Sequence, residues 1–321
     1  MELHEYLQKA ADIVDKELFR NYGSVFGDLD KASAHLLLAG GKRLRPAVVL
    51  LAADAVRKGS AMDILPAALA LEVTHTFTLI HDDIMDGDSV RRGVPTVHTQ
   101  WNEATAILAG DVLYAQAFEL IAKSMAPEGA RVRAMMLLAR TCVDICRGQH
   151  LDITFAERNN VSAMEYLDMV AKKTGALYAA AAAIGGILAG GTAGQVKALH
   201  DWGMNSGMAF QIQDDIIDLC ADAEKSGKDR ASDLREGKQT LIAIRAREKG
   251  VDLAPYRRHD LSGDEIDAAI RLLEGAGVID EVRAVADERV ATAKKALQNL
   301  PESEEREYLS RITDYFVTRG F

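Results

Sequence analysis

The sequence predicts an all-α protein, a single-domain bundle of helices spanning residues 1–321. Only six prolines and 6% aromatic residues accompany a large share of alanine and leucine, which favours helix over sheet. Apolar residues recur at helical spacing along most of the chain, and no run shows the alternation expected of a β-strand. No internal repeat and no low-complexity linker separates two halves, so we expect one domain.

Each predicted helix depends on apolar spacing bounded by helix breakers. Gly40-Gly41 and Pro127 separate periodic stretches, and Pro46 and Pro66 stand where a first helical turn tolerates proline. In chain order the predicted helices are Leu3–Phe19, Ala47–Val56, Pro66–Met85, Ala104–Lys123, Ala130–Gln149, Met164–Ala183, Val196–Cys220, Thr240–Lys249, Gly263–Leu273, Val278–Leu300 and Glu302–Val317.

Composition and charge exclude several classes of protein. A hydrophobic fraction of 48% is too high for a disordered chain, and a net charge of −10 disfavours nonspecific binding of nucleic acid or anionic membranes. Three cysteines fit a reducing compartment, and Met1–Ala10 has no signal-peptide core, so we expect a cytoplasmic protein. The uncharged segment Thr174–Val196 approaches the length of a membrane span, but its alanine and glycine content predicts close packing inside a bundle.

The segment His81–Asp86 carries three aspartates at the end of a predicted helix. Asp82 and Asp86 are four residues apart, so their carboxylates share one helical face, with Asp83 beside them. Like charges at this spacing repel, and Mg²⁺, which prefers oxygen ligands, would convert the repulsion into ligation. A solvated acidic helix end is the alternative, and the apolar neighbours and the unfavourable helix dipole argue against it.

The segment Phe210–Asp218 repeats this pattern inside another apolar helix. The residues that share one face, at offsets of zero, three, four and seven, are Gln211, Asp214, Asp215 and Asp218. Two such motifs, far apart in the chain, predict a site in which facing helices hold metal ions.

Two basic clusters indicate what such metal ions would bind. Residues 40–46 place three cations and no acidic residue just before a predicted helix, and Arg91-Arg92 follows the first acidic motif. Arginine and lysine side chains are the usual partners of phosphate oxygens. A lone arginine would be read as an ordinary surface charge, but the combination favours a diphosphate site.

Taken together, these motifs make the chain resemble a trans-isoprenyl diphosphate synthase of the polyprenyl synthetase family, nearest to the archaeal-type geranylgeranyl diphosphate synthases. The resemblance covers residues 40–245. Its motifs are GGKRLRP at 40–46, His75, DDIMD at 82–86, Arg91-Arg92-Gly93, Pro95-Thr96, Gly110-Asp111, GQHLD at 148–152, Lys173-Thr174, FQIQDD at 210–215, Gly227-Lys228, Asp233-Leu234, Gly237-Lys238 and Thr240-Leu241.

The resemblance implies the isoprenoid synthase fold, with helices around a central substrate cavity, and a Mg²⁺-dependent prenyltransferase. The enzyme would condense isopentenyl diphosphate with dimethylallyl, geranyl or farnesyl diphosphate by ionisation, condensation and elimination. It would act as a homodimer, with no nucleic-acid partner and no integral membrane segment. The implied end product is geranylgeranyl diphosphate, and a farnesyl or bifunctional farnesyl/geranylgeranyl synthase is the alternative.

Family roles transfer to individual positions of this chain. The implied metal ligands are Asp82, Asp86 and Asp214, with Asp83, Asp215 and Asp218 as supporting residues. The implied ligands of the allylic diphosphate are Arg91, Lys173, Thr174, Gln211, Lys228 and Lys238. Main-chain or side-chain oxygens near Lys173, Thr174 and Gln211, the implied catalytic residues, would stabilise the carbocation. The implied ligands of isopentenyl diphosphate are Lys42, Arg45, His75 and Arg92.

Two further features follow from the resemblance. The polar segment Ala221–Thr240 would be a lid that excludes water from a carbocation. Phe77 and Thr78, five and four residues before the first acidic motif, would form the floor that limits product length. Helix geometry alone separates Phe77 from Asp82 by roughly 140° around the axis, so it does not place the ring in the same pocket.

Two other functions remain possible from the sequence. A noncatalytic modulatory subunit would be expected to lose one acidic motif or the basic clusters, and this chain retains all of them. A class I terpene cyclase would carry a different second metal motif and would lack the basic segment at 41–46.

Overall fold

A computed structural model describes residues 2–24, 26–220 and 230–318, and it is all-α as the sequence predicts. The helices are α1 Leu3–Tyr22, α2 Asp28–Leu38, α3 Leu44–Val56, α4 Leu65–Asp86, α5 Val97–Gln100, α6 Glu103–Ala122, α7 Glu128–Phe155, α8 Ala163–Val170, α9 Ala176–Leu188, α10 Ala193–Cys220, α11 Ser232–Glu236, α12 Leu241–Glu248, α13 Gly263–Gly275, α14 Val278–Leu297 and α15 Glu304–Thr318. Short 3₁₀ turns occupy Met62–Ile64 and Ala254–Tyr256, and a two-residue hairpin pairs β1 Val90–Arg91 with β2 Val94–Pro95.

The sequence predicts most of these helices to within a few residues, but it misses α2 and the short helices α5 and α11. The buried face of α2 consists largely of small side chains, including Ala32, Ser33 and Ala34, and its larger apolar residues are confined to the last turns. Small residues give a weak periodic signal, because the pattern depends on large apolar side chains.

The predicted helix Met164–Ala183 is interrupted. It divides into α8 and α9, joined by a π-helical turn at Ala171–Gly175. A π turn inserts one extra residue without changing the apolar character of the segment, so periodicity does not reveal it. Such turns occur frequently at functional sites.

The chain divides into two compact units. The first comprises the described residues of Met1–Arg140, Ala180–His200 and Asn299–Leu309. At its centre α4 packs along α6 and against α3, while α1 contacts α3 and α2 contacts α6. Most of α4 is buried, including the apolar Leu71 and Val73 and also the charged Glu72.

The second unit comprises the described residues of Thr141–Ala179, Asp201–Gln298 and Ser310–Phe321. Here α12 packs against α8 and α14, and α13 packs against α14. The core contains Tyr166, Ile212 and Ile216, each at most 1% exposed. Trp202 is also fully buried, and its Nε1 donates a hydrogen bond to Thr313 Oγ1 at 2.8 Å.

Two helical stretches in the described part of the chain are long and apolar enough to cross a membrane, judged by length and composition. In Met62–Asp86, which contains α4, 67% of the most apolar window is buried, whereas in Glu103–Ala122, which is α6, only 39% is buried. A helix in the core of a protein also has this length and composition, and the burial of α4 is that of a core helix. All residues of α9 are buried, which confirms the packing predicted for this part of Thr174–Val196.

Candidate active site

The first aspartate motif, residues 82–86, lies in the last turns of α4. Asp82 is partly exposed and Asp86 is exposed, whereas Asp83 is completely buried. Asp83 Oδ1 accepts a hydrogen bond from Arg91 Nε at 2.7 Å and forms an ion pair with Arg91 Nη2 at 2.6 Å, while Nη2 donates its hydrogen bond to Asp88 Oδ2. Burial raises the pKa of Asp83, although the Arg91 charge opposes this shift. Asp83 therefore binds Arg91, and the more accessible carboxylates of the motif are those of Asp82 and Asp86.

The hairpin after α4 positions two arginines. Its two-residue turn consists of Arg92 and Gly93, which have φ angles of 54° and 76°. A tight hairpin turn needs positive φ at both central positions, which is unusual for arginine. Arg91 on β1 reaches Asp83, while Arg92 in the turn donates to Glu72 Oε1 at 3.2 Å and to the Leu36 carbonyl oxygen at 2.9 Å.

The basic loop, residues 40–46, contains side chains in different environments. Arg43 has a side chain that is only 1% exposed and donates to Asp15, Glu72 and the Leu37 carbonyl oxygen. Lys42 is exposed and Arg45 is partly exposed. Arg43 thus stabilises the fold, leaving Lys42 and Arg45 as the cations of this loop that reach solvent.

His75 lies on α4 near the arginines of both segments. Burial lowers the pKa of His75 well below its ordinary value, and the nearby charges of Arg45, Arg92, Arg91 and Arg43 lower it further. The imidazole is therefore neutral near pH 7. Within the first unit the structure brings together three of the four residues predicted to bind isopentenyl diphosphate, namely Arg45, His75 and Arg92.

An aromatic cluster joins α4 to α6. The buried Phe77 ring contacts the Tyr114 ring edge to face, with centroids 5.4 Å apart, and Tyr114 contacts Phe118 in the same way at 5.2 Å. Thr78 is also buried, and its hydroxyl donates to the His75 carbonyl oxygen. Sequence reasoning singled out Phe77 and Thr78 but missed Tyr114 and Phe118, whose spacing of four residues was the available signal.

The second aspartate motif, residues 214–218, lies near the end of α10. Asp215 is buried: its Oδ2 accepts from the Tyr166 hydroxyl at 2.6 Å and its Oδ1 accepts from Gln211 Nε2 at 3.0 Å. Gln211 Oε1 in turn accepts from the Thr174 hydroxyl at 3.0 Å. Burial raises the pKa of Asp215 well above its ordinary value, and the charges of Asp233 and Asp214 raise it further.

The last aspartate of this motif organises the following segment. Asp218 Oδ1 accepts from the Ser232 hydroxyl at 2.6 Å, and its Oδ2 accepts from the Asp233 backbone N–H at 3.0 Å. The Asp218 carbonyl oxygen accepts from the Ala231 N–H. Asp218 therefore fixes the start of α11. Asp214, the first aspartate of the motif, is partly exposed.

The π-helical turn presents Lys173 and Thr174. Lys173 Nζ donates to Asp152 of α7. The turn approaches α7 closely at Gly148, where an added Cβ would stand 2.4 Å from the Lys173 backbone nitrogen. Only glycine allows this approach, so Gly148 helps to set the position of Lys173.

Lys238 lies beyond α11 and completes the second group of predicted residues. Its ammonium pairs with Asp233 and Glu236, each at 3.1 Å. Burial alone would lower the pKa of Lys238, but the two carboxylates raise it above its ordinary value. Lys228, predicted to bind the same diphosphate, lies outside the described residues, as do residues 221–229 of the predicted lid.

One cleft in the second unit collects these side chains. The polar residues that line it are Asp152, Tyr166, Lys173, Thr174, Gln211, Asp215, Asp233, Lys238, Gln239 and Thr240. It contains two lysine cations and three carboxylates, together with three hydroxyl groups and two amides. The cleft can therefore bind an anionic group together with a cation.

The donor chemistry of both motifs fits a hard divalent cation, because all the candidate ligands are carboxylate oxygens. Asp83 and Asp215 are buried and Asp218 holds the start of α11, whereas Asp82 and Asp214 are partly exposed and Asp86 is exposed, so these last three fit the role of metal ligand better. Among residues 2–24, 26–220 and 230–318, no three His, Cys, Asp or Glu side chains form a group that could hold a metal ion. The ligand assignment stays a prediction.

Comparisons with known proteins agree with this chemistry. The family model described as polyprenyl synthetase matches residues 27–270. The geranylgeranyl diphosphate synthase of Methanosarcina mazei is 48% identical over 92% of this chain and 90% of its own length. The geranylfarnesyl diphosphate synthase of Natronomonas pharaonis is 47% identical over 91% of this chain and 90% of its own length.

Solved structures give the same result. The geranylgeranyl pyrophosphate synthetase of the archaeon Geoglobus acetivorans superposes with a TM-score of 0.91 at 43% identity, covering 98% of this chain and 99% of its own. A polyprenyl synthase from Caulobacter crescentus, complexed with calcium and isoprenyl diphosphate, superposes with a TM-score of 0.85 at 32% identity, covering 99% and 98%.

Proposed function

The chain belongs to the polyprenyl synthetase family, and we propose that it extends allylic diphosphates with isopentenyl diphosphate, releasing geranylgeranyl diphosphate as its end product. It is a short-chain trans-prenyltransferase. The observation that carries the proposal is the cleft of the second unit, where Lys173, Thr174, Gln211 and Lys238 lie together. Farnesyl diphosphate is the alternative end product.

The allylic diphosphate is bound by the cations of this cleft, with Arg91 and Lys228 as further ligands. Both lysines of the cleft are already paired with carboxylates, Lys173 with Asp152 and Lys238 with Asp233. A diphosphate bound there meets these carboxylates as well as the lysines, so a compensating divalent cation favours its binding.

A divalent cation is typical of the family, and the Caulobacter relative contains calcium. We propose Mg²⁺ ions, with Asp82 and Asp86 as ligands in the first motif, Asp214 as a ligand in the second, and Asp83, Asp215 and Asp218 as supporting residues. When bound, the cation neutralises diphosphate oxygens and makes the diphosphate a better leaving group.

The side chains of the cleft assist the ionisation of the allylic substrate. As its C1–O bond breaks, Lys173 and Lys238 stabilise the negative charge that collects on the departing diphosphate. Gln211 directs its amide nitrogen to Asp215 and its amide oxygen to Thr174, whose hydroxyl donates to it. This arrangement leaves lone pairs of the Thr174 and Gln211 oxygens to stabilise the allylic cation.

Isopentenyl diphosphate is bound by the cations Lys42, Arg45 and Arg92, with the neutral His75 as a hydrogen-bonding partner. Its C3=C4 π bond attacks the allylic cation and forms the new carbon–carbon bond. A proton is then lost to the departing diphosphate, which leaves the trans double bond. Phe77 and Thr78 limit the length of the product, supported by Tyr114 across the aromatic cluster.

A second copy of this chain covers α6. Ile107, Leu108 and Tyr114 on this helix are each at least 40% exposed although the helix is strongly apolar. An exposed apolar face of this kind is typical of a protein interface. We therefore propose a homodimer. A single domain and a cytoplasmic location, both expected from the sequence, complete the proposal.

Product analysis by mass spectrometry tests the proposal. Purified protein receives isopentenyl diphosphate with dimethylallyl, geranyl or farnesyl diphosphate, with and without Mg²⁺. A metal-dependent twenty-carbon product from all three starters is expected. A fifteen-carbon end product would retain the family activity and overturn the chain-length assignment, whereas no condensation by folded protein would indicate a modulatory subunit.

A further inference from the structure

Glu72 is a buried carboxylate that none of the proposed steps uses. It lies on α4, is 2% exposed, and its Oε1 accepts hydrogen bonds from Arg43 Nη1 at 2.5 Å and Arg92 Nη2 at 3.2 Å. A carboxylate is rarely buried unless a partner compensates its charge. Here one oxygen contacts two guanidinium groups from segments about 50 residues apart in the chain.

Both arginines have left-handed backbone conformations. The φ angle is 47° at Arg43, before α3, and 54° at Arg92, in the hairpin turn. A residue with a Cβ atom adopts this conformation at an energetic cost, so it persists where surrounding contacts hold it. The common contact of these two residues is Glu72, which belongs to the buried part of α4.

The two segments also touch each other beside Glu72. Gly41 has a φ angle of 148°, and a Cβ added there would stand 3.2 Å from Arg92 Cζ. The Arg92 guanidinium therefore packs against the backbone of the basic loop. Arg92 also donates to the Leu36 carbonyl oxygen, and Arg43 donates to that of Leu37, so both side chains are fixed against the end of α2.

The neighbours of Arg92 are the residues proposed to bind isopentenyl diphosphate. The charges of Arg45 and Arg92 both lower the pKa of His75, which places the three side chains close together. Arg92 itself is 16% exposed, whereas Arg43 is 1% exposed. Glu72 thus fixes one arginine that is completely buried and one that reaches solvent.

We propose that Glu72 is the positioning residue of the isopentenyl diphosphate site, which orients Arg92 and holds the basic loop through Arg43. The inference rests on the function proposed above for Arg92 and Arg45. Glu72 does not touch the substrate, and its negative charge weakens the attraction of the site for a diphosphate. Its benefit is orientation, because a fixed guanidinium fork binds phosphate oxygens without reorganisation.

This opposition between charge and orientation gives a decisive variant, Glu72→Gln. The glutamine keeps the shape and one acceptor oxygen, but removes a negative charge and directs an amide N–H₂ toward the arginines. If only charge mattered, isopentenyl diphosphate would bind more tightly to this variant. If Glu72 positions Arg92, the Kd for isopentenyl diphosphate rises by about 10-fold or more despite the added positive charge.

The matched control is Asp15→Asn. Asp15 accepts from Arg43 Nε at 2.7 Å and is 47% exposed, so this variant also removes a negative charge beside Arg43. It leaves the Glu72 contact with Arg92 intact. We expect the Kd for isopentenyl diphosphate to change less than about twofold.

Titration calorimetry of isopentenyl diphosphate alone measures the Kd, and steady-state kinetics gives separate KM values for the two diphosphates. The expected result for Glu72→Gln is a raised Kd and KM for isopentenyl diphosphate with an unchanged KM for the allylic substrate. An unchanged or lowered Kd in folded protein would overturn the inference, as would an equal rise in both KM values.

A second variant keeps the test decisive if Glu72→Gln does not fold. Glu72→Asp retains the charge but shortens the side chain by one methylene group. We expect the same selective rise in the KM for isopentenyl diphosphate, with a smaller loss of melting temperature than in Glu72→Gln. Inactive wild-type protein with isopentenyl diphosphate and every starter would refute the proposed function itself. Active wild-type protein with an unaltered Glu72→Asp variant would refute only the role of Glu72.

Discussion

The two aspartate motifs have almost the same sequence, DDIMD at 82–86 and DDIID at 214–218, but their carboxylates are used differently. In both motifs the second aspartate is buried. Asp83 is compensated by the charge of Arg91, whereas Asp215 accepts hydrogen bonds from the neutral donors Tyr166 and Gln211. The third aspartate differs most: Asp86 is exposed, and Asp218 fixes the start of α11.

This difference shows how one spacing serves two tasks. A helix repeat places the first and third carboxylates of each motif on one face, but the elements that follow decide which of them are available to a ligand. After α4 the chain forms a hairpin that engages the middle aspartate. In the second unit, α11 engages the last one. The first motif therefore has two accessible carboxylates, and the second has chiefly Asp214.

The largest expected effect comes from Asp82→Asn. Loss of a charged metal ligand removes several kcal/mol of transition-state stabilisation, so we expect kcat to fall by about 1000-fold, with a raised Mg²⁺ requirement. Steady-state kinetics across a Mg²⁺ titration measures both quantities. The control is Asp63→Asn, before the start of α4, where the carboxylate pairs with Arg57 at the surface. Equal activity of the two variants would remove Asp82 from the site.

The third aspartates provide the direct test of the comparison. Asp86→Asn is expected to lower kcat by about 100-fold, because it removes a ligand. Asp218→Asn is expected to lower kcat much less, to raise the KM for the allylic diphosphate through the α11 segment and Lys238, and to reduce the free energy of unfolding by about 1 kcal/mol. Denaturant unfolding and kinetics on both variants separate these effects. Similar kcat losses would show that the two motifs work alike.

The sequence predicts that the aspartates of each motif share one helical face, but it does not predict which of them bind protein partners inside the fold. The spacing of Asp214, Asp215 and Asp218 is local, whereas their partners are not: Tyr166 lies 49 residues away from Asp215 and Ser232 lies 14 residues after Asp218. The same limit applies to Arg43, which is one of three cations in the basic loop by sequence and becomes buried only through Asp15 and Glu72. Helices were predictable because their signal is local.

The helix of the first motif also carries the proposed chain-length floor. Phe77→Ala removes the ring that contacts Tyr114, so we expect a longer end product, with at least one additional five-carbon unit, and a loss of stability of about 3 kcal/mol. Mass spectrometry of the products measures the first effect. Tyr114→Ala should act in the same direction if the aromatic cluster is the floor. An unchanged product length in active Phe77→Ala protein would exclude Phe77 from this role.

The smallest effect concerns α8, the helix that supplies Tyr166 to the second motif. Its first turn is closed by a capping box in which Glu165 accepts from the Ser162 N–H at 2.9 Å, and Arg158 adds a further contact. These hydrogen bonds, that from the Ser162 backbone above all, lower the pKa of Glu165 to about 2.

The folded protein binds a proton at the Glu165 carboxylate less tightly than the unfolded chain does. The contribution of ionised Glu165 to the free energy of unfolding is therefore complete above about pH 4.5 and disappears as the pH falls toward about 2. Glu165→Gln should therefore destabilise the protein at pH 7 and lose that difference from wild type in acid, as measured by denaturant unfolding at several pH values.

The same capping box closes α13 through Ser262 and Glu265, and the pKa of Glu265 is also lowered. Glu265→Gln should reproduce the pH dependence of stability. Only Glu165→Gln should change the kinetics, by about twofold in the KM for the allylic diphosphate, because α8 supplies the Tyr166 hydroxyl to Asp215 and α13 supplies no such group. Equal kinetic effects of the two variants would show that the support of the second motif does not pass through Tyr166.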